Sequence, residues 1–106
     1  MDTYTKDTKY NKGTVALFFT GQHCGYCKMV KPGIEKAASE NRDKFASYLV
    51  DTGTDAGMDL AKEMSIKGLP TIIVFKDGVE QHRLVGMGQV QPSTLLSSVE
   101  SANSVD

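Results

Sequence analysis

The chain has 106 residues, 40% of them hydrophobic and 24% charged, the make-up of one globular domain over residues 1–106 with a single core in two or three layers. Twelve Lys and Arg against 13 Asp and Glu give a formal charge of −1. The cations are scattered, which argues against a nucleic-acid face or a polybasic membrane surface. No apolar run nears the ~20 residues that a membrane helix needs.

Residues 1–13 are polar and mostly uninformative, a segment expected to be partly mobile. The polar start MDTYTKDTKYNKGT lacks the apolar stretch of a secretory signal, so with Met1 taken as the natural start a cytoplasmic location is expected. Val15–Phe19 (VALFF) is apolar on both faces, as in a strand buried between two layers. Gly21 ends it, and the only two cysteines follow at once, Cys24 and Cys27 in TGQHCGYCK. From Cys24 to about Asn41 the spacing predicts a helix, with Met29, Val30, Ile34, Ala37 and Ala38 on one stripe and a bend at Pro32.

Phe45–Asp51 predicts a second strand, TGTDAG a loop, and residues 57–65 a short helix with Leu60, Ala61 and Met64 inward. Thr71–Phe75 and Val79–Val85 flank Asp77-Gly78, a strong hairpin signal. Pro92 opens a last helix that buries Leu95, Leu96 and Val99. The order is therefore β-α-β-α-β-β-α. A strand–helix–strand unit takes a right-handed crossover to a parallel neighbour, and a tight hairpin is antiparallel. The expected fold is α/β, a mixed central sheet of four or five strands flanked by helices on both faces.

The C-x-x-C spacing suits a metal pair, a reversible disulfide or two core thiols. Structural zinc takes four ligands, and the chain has no second C-x-x-C and no H-x3–5-H pair; His82 is placed on a distant strand and His23 sits too close to Cys24 to chelate easily. No metal is expected. Two cysteines are also too few for a disulfide-stapled scaffold. Cys24 stands where a buried strand gives way to a helix. Unpaired N–H groups and the helix dipole there favour an anion, lowering a thiol's pKa from the unperturbed ~8.5. Cys27 is one turn later, within reach of Cys24, the arrangement that thiolate attack followed by resolution requires.

Residues Val15 to Ala102 resemble the thioredoxin family. VALFF precedes the pair, CGYCKMVKP matches the family's C-G-x-C-K-M-x-x-P layout, KGLPTIIVFKDGVE is similar to its G-[IV]-P-T segment and hairpin, and Gly86 follows the last strand. The resemblance implies a thioredoxin fold with the second strand at one side, then the first, third and fourth. It implies a thiol–disulfide oxidoreductase that reduces protein disulfides, with Cys24 as nucleophile and Cys27 as resolving thiol. Pro70 would be a cis-proline, Leu69 would offer backbone groups to substrate, and Gly86 would let substrate backbone approach. No cofactor is implied beyond the cysteine pair. The implied partners are disulfide-bearing proteins and an external reductase, such as a thioredoxin reductase or the glutathione system, acting on a monomer. An ordinary trans-proline at Pro70 and a plain turn glycine at Gly86 are the competing readings.

Several positions depart from the family. His23 and Thr20 stand where tryptophans are usual, and the chain has no Trp. Phe18 replaces a buried acid beneath the cysteines, and its usual lysine partner aligns with about Ser47; losing both avoids an unpaired buried charge. Gly25-Tyr26 resembles the dipeptide of periplasmic disulfide isomerases rather than the Gly-Pro of thioredoxins. His23, Gly25, Tyr26 and Phe18 are therefore expected to tune the pair, toward a less negative potential, with a plain solvent-exposed surface residue as the competing reading of His23. Tyr26 reads as a substrate platform or an incidental exposed ring. The alternatives are an oxidase or isomerase of this fold, or a binding module whose redox activity is incidental.

Overall fold

The computed structural model describes residues 1–105. Its elements are β1 (Asp2–Thr3), β2 (Thr14–Thr20), α1 (Gly25–Glu40), β3 (Ala46–Asp51), α2 (Asp55–Glu63), β4 (Thr71–Lys76), β5 (Val79–Val85) and α3 (Pro92–Asn103). The five strands lie in the order β1-β3-β2-β4-β5. β1 and β2 run parallel to β3, whereas β2 with β4 and β4 with β5 are antiparallel.

Alternation along β2 explains why VALFF is apolar throughout. Ala16 and Phe18 point into one core layer with Val30 and Ile34 of α1 and Leu95 and Val99 of α3. Val15, Leu17 and Phe19 point into the other, with Leu60 and Ala61 of α2. The central strand is thus buried on both sides. Each large apolar side chain withdrawn from water there contributes about 1.5–3 kcal/mol. At the hairpin, Asp77 and Gly78 have φ of 50° and 83°, the left-handed pair a two-residue turn needs.

Three expectations are corrected. Met29 is 77% exposed. The buried stripe of α1 is Cys27, Val30, Ile34, Ala37 and Ala38, and at 100° per residue Met29 falls away from that face. Helix α2 begins at Asp55 rather than residue 57, because Thr54 caps it by accepting from the Gly57 N–H at 3.0 Å, so part of TGTDAG is helical. Residues 1–13, uninformative as sequence, hold defined contacts: β1 supplies the fifth strand, the Tyr4 N–H donates to Leu49 O at 2.7 Å, and Tyr10 packs on Phe75 with centroids 5.1 Å apart. Two residues are too few to show a period. Helix α1 continues through Pro32. Among the described residues no helix is long and apolar enough to cross a membrane.

Candidate active site

Strand β2 delivers the chain to the end of the sheet, and Thr52 holds that end by donating its N–H and its hydroxyl to Thr20 O, each at 2.9 Å. Gly21–His23 form a short turn in which the Cys24 N–H donates to Gly21 O at 3.4 Å. Cys24 is then the N-cap of α1, and its sulfur accepts from the Cys27 N–H at 3.2 Å. A sulfur thus occupies the place usually held by a serine or aspartate oxygen, beside the unpaired N–H groups of the first turn. Cys24 and Cys27 are joined in a disulfide, with Cα atoms 5.3 Å apart. Cys24 is half-buried while Cys27 is 1% exposed, so Cys24 is the more accessible sulfur.

Beside Cys24 lies an open groove of about 530 Å3 lined by Gly21, Gln22, His23, Cys24, Thr52, Gly53 and Leu69. Leu69 precedes Pro70 across a cis bond. Its side chain closes over Gly21, where an added Cβ would lie 2.9 Å from Leu69 Cδ1. Gly86, at φ 76°, donates its N–H to Pro70 O at 2.9 Å. The fold therefore brings Cys24, His23 and Leu69 to one groove, with Pro70 behind Leu69 and Gly86 tied to Pro70. Phe18 is elsewhere, buried in the layer beneath α1. His23 and Gly25 are exposed.

Tyr26 is not an incidental exposed ring. Its ring is half-buried against the layer under α1 and its hydroxyl donates toward Met87 O at 3.2 Å and Val90 O at 3.1 Å. Sequence alone could not pair residues 26 and 87–90, since no local pattern links positions so far apart.

Thr52 and Gly53 were also missed as groove residues. They lie in the β3–α2 turn, and only the parallel pairing of β3 with β2 carries that turn to the cysteines. A second, smaller notch of about 170 Å3 is lined by Cys27 together with Thr20, Gly21, Gln22, Lys28, Lys31, Leu49 and Asp51. Among the described residues no group of three His, Cys, Asp or Glu side chains is placed to hold a metal.

Comparison with known proteins agrees with this geometry. The family profile described as Thioredoxin matches residues 1–101. The thioredoxin of Mycolicibacterium smegmatis is 34% identical over 85 residues, covering 80% of this chain and 76% of its own. A bifunctional thioredoxin reductase/thioredoxin of Mycobacterium leprae is 32% identical over 84 residues, 79% of this chain but 18% of that larger protein. The crystal structure of Malassezia sympodialis thioredoxin superposes with a TM-score of 0.73 at 31% identity, over 89% of this chain and 80% of that one. With a capped, half-buried sulfur joined to a buried one at the start of α1, the chain belongs to the thioredoxin family and is a protein thiol–disulfide oxidoreductase.

Proposed function

We propose that this protein works as a reductase of protein disulfides, with Cys24 attacking and Cys27 resolving. The observation that carries the assignment is the asymmetry of the pair: Cys24 lines the groove and caps α1, and Cys27 is buried behind it.

Reduced Cys24 is held as a thiolate by the first-turn N–H groups. It attacks one sulfur of a substrate disulfide lying along the groove against Leu69 and Pro70. The substrate S–S bond breaks, its far sulfur leaves as a thiolate and takes a proton, and a Cys24–substrate mixed disulfide forms. Cys27 then loses its proton and attacks the Cys24 sulfur. The substrate's second sulfur departs, and the Cys24–Cys27 disulfide closes. Two electrons have passed from the pair to the substrate, and the pair is itself the redox group.

Phe18 offers no base, so the Cys27 proton goes to water or to a substrate group; the notch lined by Cys27, Thr20 and Asp51 is open to water. His23 and the backbone N–H groups of Gly25 and Tyr26 set how strongly the thiolate is favoured. An external reductase returns the dithiol; the fusion of thioredoxin to thioredoxin reductase in the mycobacterial relative supports an enzyme of that kind.

The test is dithiothreitol-driven reduction of insulin. Cys24→Ser is expected to abolish catalysis. Cys27→Ser is expected to accumulate a mixed disulfide with insulin chains, seen as a mass adduct that dithiothreitol removes. Equal turnover by wild type and Cys24→Ser would remove the reading, as would an adduct on Cys27 instead of Cys24.

A further inference from the structure

The thiol chemistry makes no use of the Tyr26 hydroxyl. One phenolic proton faces two carbonyls, Met87 O and Val90 O, as a three-centre bond. Both carbonyls belong to one short turn. Within it, the Gln89 and Val90 N–H groups donate to Gly86 O at 3.2 and 2.9 Å, and the Gln89 side chain accepts from the Val85 N–H at 2.9 Å. The Gly86 N–H ties the front of the turn to Pro70 O at 2.9 Å, and Val90, fully buried, anchors its end in the core. Met87 lies between these ties, 67% exposed. Tyr26, the residue before Cys27, is thus the link between the cysteine helix and a turn that stands beside the cis-proline segment.

We propose that Tyr26 is a positioning residue for protein substrates: its hydroxyl holds the Gly86–Val90 turn against the start of α1 and so fixes the wall on which the chain flanking a substrate disulfide lies. The exposed Met87 thioether gives that wall an adaptable apolar surface, which fits substrates whose disulfide is flanked by apolar residues. A half-buried ring alone needs no hydroxyl, and a phenylalanine would fill the same space. What the hydroxyl adds is the register between turn and helix. This inference rests on the reductase reading above.

Tyr26→Phe is the variant that separates the two. Reduced wild type and variant are mixed with increasing insulin and, separately, with Ellman's reagent, a small disulfide that needs no flanking wall. The expected result is about a fivefold rise in half-saturating insulin, the loss of one net hydrogen bond, with the limiting rate unchanged. The rate with Ellman's reagent and the equilibrium with glutathione should also be unchanged, while amide exchange at Gln89 and Val90 accelerates. Unaltered half-saturation by insulin would overturn the proposal. So would an equal loss with both disulfides, or a shifted glutathione equilibrium, since either places the hydroxyl in the sulfur chemistry. Wild type that fails to reduce insulin at all would instead remove the reductase reading. Met87→Ala, which leaves the fold's hydrogen bonds in place, should raise half-saturation for insulin without changing amide exchange at Val90; no change with insulin would also count against the wall.

Discussion

Replacing Tyr26 by proline tests how the dipeptide sets the redox balance of the pair. Tyr26 is the second residue of α1, one of three first-turn positions whose N–H groups find no carbonyl within the helix. A proline is tolerated there but contributes no N–H. The Cys24 sulfur takes its direct hydrogen bond from Cys27 at 3.2 Å, not from Tyr26. The Tyr26 N–H therefore acts as part of the helix's positive end, worth about 0.3–1 kcal/mol to a nearby anion.

In the disulfide there is no anion to stabilise, so the whole of that contribution favours the reduced form. A reduced form so favoured makes the pair more oxidising. At about 1.4 kcal/mol per 30 mV for a two-electron couple, removing the N–H should lower the potential by roughly 6–20 mV. Proline also removes the phenol, so the proper reference is Tyr26→Phe, which keeps the N–H and loses only the hydroxyl. The assay is equilibration of each variant with glutathione at defined ratios, with the dithiol fraction read after acid quench and alkylation. A Tyr26→Pro potential equal to or above that of Tyr26→Phe would refute the reasoning.

Two further predictions concern residues away from the groove. Phe18→Asp places a carboxyl in the layer between β2 and α1, where the side chain is 1% exposed. Burial should raise its pKa, so the folded variant binds a proton that the unfolded chain releases, and stability should fall as pH rises above about 4 toward the folded-state value. Its resolution step should speed up and gain a pH dependence, read from decay of the mixed disulfide; an unchanged rate and profile would mean that water already suffices at Cys27. Gly57→Ala would set a Cβ 1.9 Å from the backbone oxygen of Asp51, and backbone cannot yield as a side chain can. A loss of about 1–3 kcal/mol or more in urea unfolding is expected, and an unmoved midpoint would show that α2 can shift freely against β3.

Much of the fold was legible because its cues are local. VALFF, the helical stripe after Cys27, Asp77-Gly78 and Pro92 each declare an element through periodicity or turn chemistry, and chain order then constrains the sheet. Errors arose where a cue was short or a phase ambiguous. Met29 adjoins a buried position without sharing its face, and β1 has two residues, so its strand state depends on pairing with Tyr48 and Leu49.

The chemistry is local: two cysteines three positions apart, at the point where a buried strand becomes a helix, are sufficient for a thiolate and its resolving partner. Tertiary structure decided which residues surround them. Thr52 and Gly53 reach Cys24 through the β2–β3 pairing, and Gly86 reaches Pro70 through the β4–β5 hairpin. Tyr26 finds Met87 and Val90 only because α1 packs over the end of the sheet from which their turn emerges. A thiol's reactivity follows from groups within one helical turn, whereas a substrate wall is assembled by contacts across the chain, and those exist only once the sheet has closed.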